Sequence, residues 1–505
     1  MKYLLGVDLG TTAVKVGLFD SQARKICSST QEYRLITESH FVVEQEVSVY
    51  WDAFKAGLRE VLAESRLSGR EILALSVSAQ GETMVFLDEA GRPLSRAIVW
   101  MDNRAQEEAR FLAGRFDPDE IHRATGQTDV IPLSPGCKVL WFKRNRPALF
   151  ERLGKILLLE DWFFFRLCGE TFGEGSLWCS THMWDIRTRD YWEPMLRELG
   201  VRREQLPKIV ESGTPLPAIL PEVAAELGLS EEILLVMGGL DQSCGALGVG
   251  NARPGILSES TGAAMVVCTL TERPAIDPHR RLSCFYTAIP GMYMIHGFSS
   301  GGIALKWLRD ALCAEESAVG RLLGRSAYAL MDMEAAAIPP GSEGLTVLPH
   351  FQGAGPPDTD IAAKCLIYGL GLNHTKAHII RAYLEAVAAS LCRIVEAVEE
   401  MGIPVTEIRS LSGGAQSPLW CQIKADMLGR PLLTMQNTED AACLGAALLA
   451  GAGAKLWPSV QEISLRIARE RERYLPAPEN RAPYDDLLRR YKLLTAQLRG
   501  ITSQL

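Results

Sequence analysis

Two short stretches about 250 residues apart share one layout, and this repetition constrains the fold of the 505-residue chain most strongly. The first is Gly6-Val-Asp8-Leu-Gly10-Thr11-Thr12-Ala-Val-Lys15-Val-Gly-Leu-Phe-Asp20. The second is Ile256-Leu-Ser-Glu-Ser260-Thr261-Gly262-Ala-Ala-Met-Val-Val-Cys268. Leu4, Leu5 and Val7 lead into the first turn, and Val14, Val16 and Leu18 alternate on the way out, which is the period of a strand. Each stretch therefore reads as a β-hairpin with Gly, Ser or Thr at its tip. Gly10 opens backbone angles closed to other residues, and the Thr11 and Thr12 hydroxyls with nearby amides can donate to phosphate oxygens. Asp8, at the strand end, can hold Mg²⁺ directly or through water, because that ion takes oxygen ligands. Taken singly, either stretch also reads as an ordinary hairpin with a polar tip. Together they predict two similar halves, each offering a phosphate-gripping hairpin to a shared cleft. The Gly- and Pro-rich segment 248–255 would be the hinge, and such a cleft can close against water.

Length and patterning fit that picture. A chain of 505 residues exceeds one ordinary core and predicts two or three domains. Tyr50, Phe54, Leu58, Val61 and Leu62 share one helical face, and residues 72–78 read as a buried strand running into a loop. Ala377, Ile380, Leu384, Val387, Leu391, Ile394 and Val398 step by three and four, the pattern of a long core helix. Strand and helix patterns alternate throughout, so the class is α/β. The net charge of −8, with no long basic run, argues against nucleic acid as a partner and favours a neutral substrate. Twelve scattered cysteines without a C-x-x-C pair argue for a reducing cytoplasm and against a zinc site. His374 and His378, four apart on a predicted helix, lack a third ligand nearby and read as a solvated or satisfied pair. The most apolar stretch, residues 156–168, is broken by Glu160, Asp161 and Arg166, so no membrane span is expected.

Set in order, the motifs resemble the FGGY family of carbohydrate kinases within the actin-like ATPase superfamily, over nearly the whole chain. Asp8-x-Gly10-Thr11-Thr12-x-x-Lys15 is similar to the family's first phosphate loop. Residues 133–145 follow one family signature except at Leu133, and residues 369–385 follow the second except at Tyr383, with Cys365 a further departure upstream. The resemblance implies a two-domain, ribonuclease H-like α/β fold with an interdomain cleft. Residues 1–247 would bind sugar and carry the first phosphate loop and catalytic Asp; residues 248–505 would bind nucleotide. Gly239-Leu240-Asp241-Gln242 resembles the catalytic segment, and a kinase acting on an alcohol needs a carboxylate beside the attacking hydroxyl. By itself Asp241 reads as a turn or helix-cap residue. Ser412-Gly413-Gly414-Ala415-Gln416-Ser417 resembles the adenosine segment, where paired glycines let backbone approach a flat base. Glu439 to Gly445 resembles the helix that closes the nucleotide pocket. Gly245-x-x-Gly248-x-Gly250 has the wrong spacing for a dinucleotide fingerprint and reads as hinge and helix packing.

The resemblance thus implies ATP and Mg²⁺ as cofactors, with Thr11, Thr12, Lys15, Ser260, Thr261, Gly262, Gly413, Gly414, Ala415 and Ser417 toward nucleotide and Asp8 and Asp241 toward the metal. Gln80, Gly81, Glu82, Trp100, Asp241 and Gln242 fall to the acceptor. Glycerol kinases carry Gln-Arg-Glu-Thr where this chain has Gln80-Gly81-Glu82-Thr83, and a tyrosine where it has Leu133. Losing an arginine and a phenol enlarges the pocket and removes donors a three-carbon polyol needs. Gly173, Glu174 and Trp178 depart from another family segment near the site. The expected acceptor is a ketose of the xylulose type or a related sugar or polyol. Glycerol kinase is the alternative, and an actin-like nucleotide switch or a sugar-binding regulator is the reading from outside the enzyme class. Proteins resembling this chain are often dimers, so a homodimer is one assembly the resemblance allows.

Overall fold

The first hairpin forms where the alternation predicts it. In the computed structural model of the chain, which describes residues 2–39, 41–351, 353–436 and 438–502, β1 (Tyr3–Leu9) pairs antiparallel with β2 (Ala13–Asp20). Asp8 lies opposite Lys15, and the Gly10 amide donates to the Ala13 carbonyl across the tip at 3.0 Å. The architecture is mixed α/β and divides into two units that are not continuous in sequence. Unit one gathers Met1–Ala252, Thr271–Met294 and Glu439–Ala468; unit two gathers Arg253–Leu270, Ile295–Thr438 and Arg469–Leu505. The chain thus crosses between units more often than a single division near residue 247 implies.

In unit one, β3 (Lys25–Glu32) extends the hairpin, and α1 (Val47–Ser65) covers β2 and β3. The apolar face read from the sequence is the buried one: Tyr50, Phe54, Leu58 and Val61 are each no more than 1% exposed. Gly57 is needed there, since a Cβ would stand 2.9 Å from Val16 Cγ2. Next come β4 (Ile72–Ala79), α2 (Pro135–Asn145), β5 (Leu234–Leu235), β6 (Gly239–Leu240) and α3 (Asp241–Gly248). The sheet runs β5-β4-β1-β2-β3, with β6 also on β4; β1, β5 and β6 all lie parallel to β4. Their carboxyl ends therefore open on one edge, where ligands of open α/β sheets bind.

In unit two, β7 (Gly255–Thr261) and β8 (Ala264–Thr271) make the second hairpin, with Ser260 opposite Val266. The strand order continues β9-β8-β7-β10-β11-β12, where β9 is Tyr293–Ser300, β10 Val405–Leu411, β11 Leu432–Met435 and β12 Glu470–Tyr474. Helices α4 (Gly302–Leu312), α5 (Ala327–Ala336), α6 (Lys376–Glu400) and α7 (Pro418–Leu428) complete the site-bearing part. The predicted long core helix is α6, with Ile380, Leu384, Val387, Leu391, Ile394 and Val398 no more than 1% exposed. His374 precedes that helix instead of lying on it: its Nδ1 accepts the Gly371 amide at 2.7 Å, while His378 Nδ1 caps the helix by accepting the Thr375 amide at 3.1 Å. Among the described residues no helix is long and apolar enough to cross a membrane.

The chain then returns to unit one with α8 (Ala441–Gly453), the segment expected beside nucleotide. It lies against β1 and α3, and three glycines make that approach feasible. A Cβ on Gly6 would stand 1.9 Å from the Cys443 carbonyl oxygen, one on Gly445 1.9 Å from the Cys244 oxygen, and one on Gly248 2.1 Å from the Ala441 oxygen. Gly248 is accordingly a packing glycine. Asp440, just before α8, takes Lys15 at 3.2 Å and Lys25 at 2.6 Å.

Candidate active site

Parallel register brings the first group of candidate residues together in unit one. Asp8 pairs with Ser78 between β1 and β4, and Leu240 pairs with Ala79 between β6 and β4. Asp241 and Gln80 therefore follow the carboxyl ends of neighbouring strands, beside the tip that follows Asp8. Ser78 Oγ donates to Asp8 Oδ1 at 3.0 Å, and the Gln242 amide donates to Asp241 Oδ1 at 2.6 Å. Both carboxylates are only partly exposed. Burial pushes Asp8 up to about 6, against the pull of Ser78 and Lys15. Burial, with the charges of Asp8 and Glu82, pushes Asp241 up to about 7 against the pull of the Gln242 amide. A carboxylate poised near neutrality is suited to taking a proton from an alcohol.

The end of β6 is anchored from below. The Leu240 amide donates to Ser176 Oγ at 2.9 Å, and Ser176 Oγ donates to Glu174 Oε1 at 2.8 Å. Glu174 is fully buried and also accepts the Ser176 and Leu177 amides at 2.6 and 2.7 Å. Glu174, a departure from the family pattern, thus serves the strand that presents Asp241.

The loops expected to hold the acceptor are linked to the first tip. Gln80 Nε2 donates to the Gly10 carbonyl at 3.0 Å, and Tyr33 donates to the same oxygen at 2.5 Å. Trp100 Nε1 donates to Thr11 Oγ1 at 2.9 Å, and the Trp100 amide donates to Thr83 Oγ1 at 3.1 Å. Glu82 sits between them in the left-handed region (φ 58°), with burial raising its carboxyl above the usual range. Thr12 is exposed at the tip. Lys15 is placed differently from a phosphate clamp: its ammonium donates to the Glu439 carbonyl at 2.6 Å and pairs with Asp440.

In unit two the second tip divides its residues between surface and core. Ser260 Oγ lies 2.7 Å from Ser412 Oγ, which begins the Gly-rich segment. Thr261 turns inward by strand alternation: its hydroxyl donates to Glu259 Oε2 at 2.6 Å and accepts from Lys424 at 3.1 Å. Its hydroxyl therefore braces the tip instead of facing outward. Lys424 and Glu259 form a fully buried ion pair, and Ser410 donates to Glu259 Oε1 at 2.6 Å. The exposed Gly262 touches the start of α4, where the Gly302 amide donates to the Gly262 carbonyl at 2.7 Å. Gly413 is exposed; Gly414 is buried, and a Cβ there would stand 2.6 Å from Thr261 Cβ. Ala415 is buried, its carbonyl accepting Arg471 at 2.5 Å. Ser417 caps α7 by accepting the Trp420 amide at 3.0 Å.

Mg²⁺ fits the first group by the chemistry of its donors. Asp8 and Asp241 offer carboxylate oxygens, the charge of Asp8 helps to raise Asp241, and a dication held by them would relieve that cost. Among the described residues no cluster of three or more His, Cys, Asp or Glu could hold a metal. Mg²⁺ commonly keeps waters and uses one or two carboxylates with substrate phosphates, so two carboxylates suffice.

Sequence reasoning passed over Lys138, Glu259 and Lys424 as functional side chains. The available signal was a lysine inside an otherwise apolar helical run, in Cys137-Lys-Val-Leu and again in Gln422-Ile-Lys-Ala.

Comparison with known proteins covers nearly the whole chain. The model of the FGGY family of carbohydrate kinases, N-terminal domain, matches residues 3–248, and that of the C-terminal domain matches residues 258–454. The xylulose kinase of Bacillus subtilis (strain 168) is 28% identical over 513 residues, covering 100% of this chain and 99% of that protein. The autoinducer-2 kinase of Salmonella choleraesuis (strain SC-B67) is 28% identical over 509 residues, covering 99% and 95%. The crystal structure of ligand-bound xylulose kinase from Lactobacillus acidophilus superposes with a TM-score of 0.92 at 25% identity, covering 100% of both chains.

Proposed function

The chain belongs to the FGGY family of carbohydrate kinases, and we propose that it transfers the γ-phosphoryl group of ATP to a terminal hydroxyl of a ketose of the xylulose type. The observation that carries this reading is Asp241, poised near neutrality at the carboxyl end of β6, where Glu82 of the Gln80–Thr83 loop is close enough to raise it. Asp241 orients the acceptor hydroxyl and takes its proton as the oxygen attacks phosphorus. Gln80, Glu82, Trp100 and Gln242 hold the rest of the sugar. Nucleotide is assigned to residues 248–505, through Ser260, Gly262, Gly413, Gly414, Ala415 and Ser417, with Thr11 and Thr12 taking phosphate oxygens. Asp8 and Asp241 hold Mg²⁺, which neutralises phosphate charge when bound.

The choice of acceptor rests on room. Glycine stands at 81 where glycerol kinases carry an arginine, and the first atom of a side chain there would meet one neighbour, Leu240 Cδ1 at 3.0 Å. A longer sugar fills that space with its own hydroxyls. The names of the relatives span acceptors as different as xylulose and autoinducer-2. Glycerol is the second reading, favoured by Glu82-Thr83 and Trp100 in the order glycerol kinases use. A coupled ADP-release assay with ATP–Mg²⁺ against pentuloses, hexuloses, polyols and glycerol tests both. The highest kcat/KM on a pentulose is expected; glycerol surpassing every ketose would replace this reading with the second.

A further inference from the structure

Lys138 is the one fully buried lysine of α2, and its ammonium is spent entirely on two loops. Nζ donates to the Trp100 carbonyl at 2.9 Å, the Val99 carbonyl at 3.0 Å and the Glu82 carbonyl at 3.3 Å. Three N–H donors meet three carbonyls, which is the full capacity of the group. One carbonyl belongs to the Gln80–Thr83 loop and two to the Trp100 loop. From the second loop the contacts continue outward: Trp100 holds Thr11, Asp102 accepts the Val43 amide at 2.6 Å, and Arg104 grips Asp102 while lying 4.7 Å over the Trp141 ring of α2.

We infer that Lys138 is a positioning residue that sets the separation of the two acceptor loops, and with it the size of sugar the enzyme accepts. The inference rests on the assignment of these loops to the acceptor. Its physical basis is the cost of burial. An ammonium out of water stays there only while carbonyl oxygens surround it, so it draws both loops onto one point. Glu82 is held in the left-handed region at that point, a conformation that needs support from its surroundings. An uncharged isostere leaves three carbonyls without a donor, and the loops turn to find water. A shift of about 1 Å at such a loop is enough to cost up to roughly 100-fold in rate.

The test compares Lys138→Met and Lys138→Gln with the wild type, using pentulose, hexulose and glycerol as acceptors with ATP–Mg²⁺. For Lys138→Met the KM for the preferred acceptor is expected to rise about tenfold or more, the KM for ATP to stay within about threefold, and selectivity between acceptor sizes to narrow. Lys138→Gln, which keeps donors, should fall between the two. Amide hydrogen exchange without ligand supplies an independent readout: it should quicken at 81–83 and 100–103 in Lys138→Met and not in α1. Unchanged acceptor KM and unchanged exchange would overturn the inference alone. A wild-type enzyme indifferent to every acceptor would overturn the loop assignment with it. Failure of both variants to fold would make Lys138 a support of the whole unit and would also overturn the narrower role.

Discussion

At the residue scale, the proposed chemistry falls mostly to two partly buried carboxylates. Replacing Asp241 with Ala should lower kcat by roughly 10²–10⁴-fold, the usual worth of a positioned base, with ATP affinity nearly unchanged. Isothermal titration and steady-state turnover on the same sample would check both halves. The pH dependence follows from the raised values. Asp241 near 7 carries a proton in the acid range of the ligand-free enzyme, so kcat/KM should rise about tenfold per pH unit below that point and level off above it. The same shift bears on stability with the opposite sense. The folded state binds the extra proton between the unfolded carboxyl value and about 7, so this group's destabilising contribution grows as pH rises through that window. Asp241→Asn should therefore melt higher than the wild type at pH 8, with the difference shrinking toward pH 4. An equal melting temperature at pH 8 would mean that the carboxylate is well solvated. Asp8 was legible as a residue because a strand running into a polar turn exposes the carboxylate near its end, whereas Asp241, which by itself reads as a turn or cap, was picked out by the family resemblance. The influence of Asp8 on Asp241 was not, since β1 and β6 are brought together by pairing with β4.

At the element scale, the hairpin tips and α8 depend on close packing that single substitutions expose. A methyl group on Gly6 or Gly445 meets a carbonyl oxygen at 1.9 Å. Gly445→Ala should destabilise unit one by roughly 3 kcal/mol or more, since backbone on both sides must move. A wild-type-like thermal transition for that variant would contradict the helix placement. In unit two, Lys424→Met leaves Glu259 charged and buried without its partner, a loss of about 3–5 kcal/mol where such pairs are broken. Because Thr261 and Gly414 pack on this pair, the KM for ATP should rise more than the KM for sugar. Periodicity revealed α1 and α6 in advance because a buried face repeats every three or four residues. It put His374 on the helix, which starts two residues later at Lys376, and a backbone amide from Gly371 satisfies that ring outside the helix. Periodicity also left Lys138 and Lys424 unread, since a single charge in an apolar run does not announce the carbonyls or carboxylate awaiting it.

At the scale of the whole molecule, two sets of segments should answer different ligands. Nucleotide with Mg²⁺ is expected to slow amide exchange at 258–262 and 412–417, and sugar to slow it at 80–83 and 100–103. Protection of only one set by both ligands would contradict the division of labour. Removing Mg²⁺ with EDTA should abolish ADP release, and adding Mg²⁺ back should restore it. The sequence by itself determined the class and the family, because two hairpins, two signatures and the motif order are local patterns that survive without tertiary contacts. It determined which residue types could meet phosphate and sugar for the same reason. Only the tertiary structure decided what each side chain faces. Thr261 lies in a phosphate-like motif yet points inward, because strand alternation gives neighbouring residues opposite faces and Glu259 with Lys424 wait on the inner one. Lys15 is committed to Asp440, a residue more than four hundred positions away, because α8 returns to lie against β1. Contacts of that range follow from how glycines let backbones approach, and no local pattern encodes them.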